Sequence, residues 1–275
     1  MEKAEGADLH VHTNHSDSSF SPAEVVDLAN KVGLKCIAIT DHDSVTGVAV
    51  AAEAAKGTPL EVVAGVEVST RVDQGEIHIV GLFVDLERGT LSEFLRTRID
   101  ERIARMREMT AKLRAMGVTL HPEEVLAVAG KGSPGRPHVA EALVRAGRVG
   151  SMQEAFQRFI GDEGPAYIAR EAISPAEAAA HIRSSGGVPI LAHPGLSNCD
   201  ELIPMLVESG VMGIEVYYPS QSRANEQFYL RIAEKHGLLV SGGSDCHGKF
   251  KNDVMLGNIR LPEDLVQKLR DAANR

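Results

Sequence analysis

The sequence predicts a parallel α/β fold, and three observations carry that reading. Short apolar runs recur along the chain with helix-length stretches between them. Two of those stretches open on the same helix-start signal, Ser21-Pro22-Ala23-Glu24 and Ser174-Pro175-Ala176-Glu177. The chain has 275 residues, 43% apolar and 24% charged, enough for one large domain or two small ones sharing a core.

The first strand is expected at 8–12. The helix after it starts at the Ser21/Glu24 capping box, with Pro22 in the first helical position, and stops near Gly33. Strands two, three and four are expected at 36–40, 62–66 and 77–80. The rhythm then breaks. Thr90 and Glu93 are read as the cap of a long helix reaching Met116, with Leu91, Leu95, Ile99, Ile103, Met106 and Leu113 at helical spacing. Further helices follow Pro122 and Pro137. Another starts at Ser174 and stops near Gly186, and strands resume at 188–192, 213–217 and 238–241. Residues 1–90 and 169–275 therefore form the strand-bearing part, and 91–168 a helical insertion.

Composition excludes several classes. A net charge of −9 argues against general nucleic-acid binding, which needs a basic surface. The insertion is the mildly basic part, with 12 basic against 10 acidic residues; the remainder has 17 against 28. Trp is absent and aromatics are 4%, so stacking platforms for single strands do not dominate. No apolar run approaches the ~18–20 residues of a membrane span, and the opening Met1-Glu2-Lys3-Ala4-Glu5-Gly6 lacks the apolar core of a signal peptide. Cys36, Cys199 and Cys246 are too few and scattered for a disulfide framework or thiolate zinc site. A cytoplasmic protein with no stable protein partner is expected.

The chemistry gathers where strands end. His10 and His12, two apart, share one face of the first strand. His42 follows the second run, Glu67 the third; His78 lies in the fourth, and His193 ends the fifth. Asp245 and His247 follow the seventh, again two apart. In a parallel barrel the carboxyl ends of the strands converge on one rim, and Asp17 can join them from the loop after the first strand. Nine ligand-type side chains exceed the four to six that one transition ion takes, so several ions sharing carboxylates are expected. Mixed imidazole and carboxylate ligation favours Mn, Fe or Zn over Mg or Ca. A lone strand-end histidine is more often structural, but a set of this size is not explained that way.

His10-x-His12, Thr40-Asp41-His42, Glu67, His78, Ala192-His193-Pro194 and Ser244-Asp245-x-His247 together resemble the PHP family, named for polymerase and histidinol phosphatase. The resemblance covers essentially the whole chain. Gly135-Arg136-Pro137-His138-Val139-Ala140 and Gly213-Ile214-Glu215-Val216-Tyr217-Tyr218 look most like the 3′,5′-nucleotide bisphosphate phosphatases and 5′→3′ exoribonucleases of that family. The resemblance implies a distorted seven-stranded (β/α)7 TIM-like barrel with a trinuclear divalent metal centre. It implies one ion on His10, His12, Glu67 and Asp245, a second on Glu67, His78 and His193, and a third on Asp17, His42 and His247.

Such a centre implies a phosphoesterase in which metal-activated hydroxide attacks phosphorus in line, with Glu67, His193 and Asp245 as the catalytic residues. The expected substrate is a nucleoside 3′,5′-bisphosphate, hydrolysed at its 3′-phosphate, or short 5′-phosphorylated RNA. A second phosphate needs positive charge elsewhere. Arg136 and His138 stand at a helix start after Gly135, and Arg98, Arg102 and Arg105 form a stripe on the long helix. The competing readings are a helix cap for Arg136 and His138, and for the stripe a solvated face paired with Glu101 and Glu108. Asp41 and Asp43 suit support of the ligands. The roles of His15, Glu215 and Tyr217 stay open. The alternatives are a histidinol-phosphate-type phosphatase or a non-catalytic metal-binding PHP module. An amidohydrolase is disfavoured because no lysine occupies a matching strand end.

Overall fold

Seven strands form one curled sheet whose spatial order repeats the sequence order: β1 (Ala7–Val11), β2 (Cys36–Ile39), β3 (Glu61–Val72), β4 (Gly75–Leu82), β5 (Val188–Leu191), β6 (Gly213–Tyr217) and β7 (Leu239–Gly242). The computed structural model describes residues 6–130, 132–169, 173–250 and 255–273; the segment 1–5 read above for a signal peptide lies outside them. The chain ends of β1 and β7 meet. The His12 N–H donates to the Cys246 carbonyl at 3.1 Å and the Asp245 N–H to the His10 carbonyl at 2.8 Å.

Strand β4 departs from the parallel reading, being antiparallel to both β3 and β5. Only Asp73 and Gln74 separate β3 from β4. That is too short for a crossover, so the chain returns as a hairpin. β3 also runs further than expected, which places Glu67 in mid-strand and His78 directly across the hairpin from Ser69.

The helices are α1 (Pro22–Val32), α2 (Thr46–Ala54), α3 (Leu91–Ala115), α4 (Pro122–Ala129), α5 (Arg136–Arg145), α6 (Met152–Ala155), α7 (Pro175–Ser184), α8 (Pro194–Ser197), α9 (Ile203–Glu208), α10 (Arg223–His236) and α11 (Glu263–Ala272). At α1 the capping box forms: Ser21 Oγ accepts the Glu24 N–H, and the Glu24 carboxylate accepts the Ser21 N–H at 2.8 Å. Gly33 closes the helix at φ +78°, a left-handed conformation that glycine adopts without penalty. Thr90 does not cap α3. Its Oγ1 lies 2.7 Å from His181 Nδ1 and 3.2 Å from Ser184 Oγ, so it joins α3 to α7.

Alternate strand residues feed different apolar clusters. Ile37 and Ile39 pack with Val25, Val26 and Ala29 of α1, while Cys36 and Ala38 pack with Leu9, Val63 and α11 residues Val266 and Leu269. α3 is shared between two clusters. Leu91 and Leu95 pack with sheet residues Val68 and Ile77, whereas Met106, Met109 and Leu113 pack with Val125, Val139, Leu143 and Ile160. Each fully buried aliphatic side chain contributes ~1.5–3 kcal/mol, so α3 fastens the 91–168 helices to the sheet.

The stripe on α3 is not solvated. Arg98, Arg102 and Arg105 are 4%, 5% and 9% exposed, while Ile99 and Ile103 are only half-buried. The reason lies in partners distant in sequence, Asp43 for Arg102 and the Ile168 carbonyl for Arg105.

Candidate metal centre

The loop after β1 is built by a buried carboxylate. Asp41 Oδ1 accepts the Thr13 N–H at 2.7 Å and the Ser16 hydroxyl at 2.6 Å, and Oδ2 accepts the Thr13 hydroxyl at 2.7 Å. This fixes the turn that presents Asp17 beside His12. After β2 the chain is stitched to β3 around His42: Glu67 N–H donates to Asp41 O and Asp43 N–H to Glu67 O at 2.9 Å. His193 and Asp245 adopt positive φ, 29° and 52°. That region costs a non-glycine residue ~1–3 kcal/mol and persists only where its surroundings enforce it. Here it turns both chain segments sharply at the cluster.

One carboxylate sits at the centre. Glu67 Oε2 lies 3.4 Å from His10 Nε2, 3.1 Å from His12 Nε2 and 3.1 Å from His42 Nδ1. Its Oε1 lies 2.8 Å from His78 Nδ1 and 3.0 Å from His193 Nε2. Asp245 Oδ1 is 3.1 Å from His12 Nε2, 3.6 Å from His10 Nε2 and 3.3 Å from His247 Nδ1. Asp17 meets His247 at 3.2 Å and His12 and His42 at 3.7 Å. The fold thus gathers all nine predicted side chains.

Their ligand atoms form three groups: His10, His12, Glu67 and Asp245; His12, Asp17, His42 and His247; and His42, Glu67 and His78. The grouping differs in two places from the one the resemblance implies. His12 also reaches the Asp17 group, and His42 stands with Glu67 and His78 where His193 was expected.

Electrostatics follow from burial and proximity. Burial alone raises the carboxyls of Glu67, Asp245 and Asp17, yet the surrounding imidazoles outweigh it and hold all three well below the ordinary range. Burial lowers His12 and His78, but Asp245 and Glu67 bring His12 up to about 9, and Glu67 and Glu76 bring His78 up to about 10. Burial wins at His42, which falls to about 3.

This donor set fits divalent cations. Six imidazoles and three carboxylates crowd together, and Asp17 Oδ1, His42 Nδ1 and His193 Nδ1 are buried without a hydrogen-bond partner. An orphaned buried polar atom costs ~1–3 kcal/mol, and a coordinated cation removes that cost.

Two supporting residues have clear geometry. Glu215 Oε1 lies 3.1 Å from His10 Nδ1, and its Oε2 accepts the His193 backbone N–H at 2.8 Å. The Tyr218 hydroxyl donates to Asp245 Oδ2 at 2.7 Å, and its ring stands edge-on to His193. A glutamate set among the apolar residues of β6 was the available signal for the first. Tyr218 closes the 213–218 segment that carries the family resemblance, but nothing in that segment pointed to its bond with Asp245. Tyr217 packs among apolar side chains, Cys246 is buried with Val11, and the half-buried His15 bonds Thr46 through Nδ1 at 2.7 Å.

The residues expected to bind substrate divide. Arg102 donates from Nε to Asp43 Oδ2 at 2.6 Å and from Nη2 to the same oxygen at 2.5 Å, so it is tied to a carboxylate that itself accepts the Ser69 N–H. Arg105 donates to the Ile168 carbonyl at 2.7 Å. His138 Nδ1 accepts the Gly135 N–H at 2.9 Å, the helix-cap arrangement, and burial lowers its imidazole. Arg136 reaches Asp162 at 2.6 Å and lies over the Phe156 and Tyr167 rings. It lines a cleft of about 200 Å³ with Asp17, His42, His78, Glu76 and Arg102.

A seven-stranded curled α/β sheet carrying clustered imidazoles and carboxylates defines a hydrolase of the metal-dependent phosphoesterase class. A family model described as PHP domain matches residues 8–127. The 3′,5′-nucleoside bisphosphate phosphatase of Chromobacterium violaceum is 33% identical over 264 residues, covering 90% of each chain. The 5′-3′ exoribonuclease Rnm of Escherichia coli is 32% identical over 247 residues, covering 87% of this chain and 84% of its own. A Bifidobacterium adolescentis structure, provisionally described as a metal-dependent phosphoesterase, superposes with a TM-score of 0.90 at 30% identity, covering 99% of this chain and 98% of its own. The chain belongs to the PHP family. Among the described residues no helix is long and apolar enough to cross a membrane.

Proposed function

We propose that the protein hydrolyses phosphate esters of nucleotides, foremost the 3′-phosphate of nucleoside 3′,5′-bisphosphates, with short 5′-phosphorylated RNA as a close variant. The observation that carries this is the division of Glu67: one oxygen faces His10, His12 and His42, the other His78 and His193. A carboxylate so divided suits bridging two ions. The relatives that act on nucleoside bisphosphates and on RNA supply the substrate class.

In this reading His10, His12, Glu67 and Asp245 would hold one ion, Glu67, His78 and His193 a second, and Asp17, His42 and His247 a third. Soft-to-borderline nitrogen donors with carboxylates favour Mn, Fe or Zn. When bound, such ions lower the pKa of water and neutralise phosphoryl oxygens. The chain's own residues do the rest. Glu67, His193 and Asp245 would position the ions that face the reacting phosphate. Glu215 and Tyr218 orient His10 and Asp245. The cleft lined by Asp17 and Arg136 admits the ester.

Residues 91–168 act as the wall of that cleft, with the sheet as a distorted (β/α)7 barrel behind it. Arg102 and Arg105 hold the wall in place; Arg136 faces the substrate. The buried free thiols of Cys36, Cys199 and Cys246 suit a reducing cytoplasm. The test is phosphate release from adenosine 3′,5′-bisphosphate, 5′-phosphorylated short RNA and histidinol phosphate by Mn²⁺-loaded protein. Preference for either nucleotide substrate supports the reading; preference for histidinol phosphate, or no release, overturns it.

A further inference from the structure

The β3–β4 hairpin carries the site outward beyond its metal-binding positions. Alternation sets Glu67, Ser69 and Arg71 on one face of β3, and the register puts Ser69 opposite His78 and Arg71 opposite Glu76. Glu67 and His78 belong to the metal cluster, so this face looks into the site. Arg71 stands four residues beyond Glu67, on the order of 13 Å along the strand. It lines a cleft of about 430 Å³ together with His78, His193, Arg136 and Tyr167.

The cations around this mouth differ in one respect. Arg136 is paired with Asp162, Arg102 with Asp43, Arg98 with Glu101, and Arg105 with the Ile168 carbonyl. Arg71 is exposed, and among the described residues its guanidinium has no hydrogen-bonding or carboxylate partner. The neighbouring Glu76 is directed at His78 Nε2, 2.9 Å away. An anion entering the cleft meets Arg71 without displacing a protein carboxylate, whereas Arg136 must first give up Asp162. A guanidinium presents five N–H donors in a fork that matches a phosphate.

We infer that Arg71 is a specificity-determining residue: it contacts a second phosphate on the leaving group while the scissile phosphate lies at the metal cluster. The inference rests on the proposed function, which places the scissile ester there. It names Arg71, on the β3–β4 hairpin, as the residue that separates substrates carrying a second phosphate from those lacking one.

The experiment compares adenosine 3′,5′-bisphosphate with adenosine 3′-monophosphate, using Mn²⁺-loaded wild type, Arg71→Met and Arg71→Lys. A charge-assisted hydrogen bond lost at one phosphate corresponds to a KM increase of ~10–100-fold. Arg71→Met is expected to show that increase for the bisphosphate, with kcat and the monophosphate KM within twofold of wild type, and Arg71→Lys to recover part of it. The product adenosine 5′-monophosphate, which retains the second phosphate, should inhibit the Arg71→Met protein more weakly, with no change for adenosine. Unaltered bisphosphate KM and product inhibition overturn the role of Arg71 and leave the proposed function standing. An equal loss on both substrates also overturns it, pointing to a general effect on the site. If folded, metal-replete wild type hydrolyses neither compound, the proposed function fails first and the inference with it.

Discussion

Glu215 Oε1 lies 3.1 Å from His10 Nδ1, joining residues 205 positions apart in the chain, and both side chains are buried. The contact holds His10 Nδ1 against Glu215 and turns Nε2 toward Glu67 and Asp245. The same carboxylate holds the His193 backbone at its strained turn. Glu215→Gln is therefore expected to weaken metal retention by ~10–100-fold while leaving the fold intact. Metal content after dialysis against graded chelator measures this, and wild-type retention would contradict the orienting role.

Arg102 spans from α3 to Asp43, whose side chain is fully buried. Removing the guanidinium takes from that carboxylate the cation that donates to its Oδ2 from both Nε and Nη2, and breaking a buried pair typically costs ~3–5 kcal/mol. Arg102→Met should lower the denaturant midpoint accordingly, and Arg102→Lys should lie between. A loss within the scatter of ordinary surface substitutions would show that the pair is not the fastening it looks to be.

Metal uptake should expel protons. In the metal-free cluster His12 is held up to about 9 and His78 up to about 10, so both are protonated at pH 7. Ligation needs the neutral imidazole. Proton release is thus expected at pH 7, diminishing as pH rises through 9 and 10, and apparent metal affinity should climb over the same range. Calorimetric titration in two buffers of different ionisation enthalpy reads the proton count directly. A count of zero at pH 7 would exclude protonated ligands.

Gly243 packs against β1 so closely that a Cβ there would lie 2.3 Å from His10 Cβ and 2.4 Å from its backbone nitrogen. Gly243→Ala must push β1 away from β7. Overpacking of this kind costs ~1–3 kcal/mol, and the displaced His10 should also reduce metal retention. Thermal melting with and without added Mn²⁺ separates the two effects; an unchanged melt in both would mean that the edges part without strain.

Much of this was legible in the sequence. Two-residue spacing alone paired His10 with His12 and Asp245 with His247, and apolar runs located all seven strands. The reversal at β4 was not read, because ending the third run at Val66 hid the continuation of β3 to within two residues of β4. Arg102 looked like a solvated or cleft-lining residue because its partner, Asp43, lies 59 positions away. Arg71 left a fainter trace, the Glu67-x-Ser69-x-Arg71 alternation, which has meaning only once the hairpin is known. Glu215 and Tyr218 depend on contacts between strands that no local pattern specifies.

The central claim is that the imidazole–carboxylate cluster binds metal to hydrolyse nucleotide phosphates. Phosphate release from adenosine 3′,5′-bisphosphate by metal-loaded wild type, set beside Asp245→Asn, tests it most directly. Loss of one carboxylate from the centre should cost several kcal/mol of transition-state stabilisation, roughly a 1,000-fold fall in rate, in protein that still melts cooperatively. Equal rates from the two proteins, or no release from folded, metal-replete wild type, would contradict the claim.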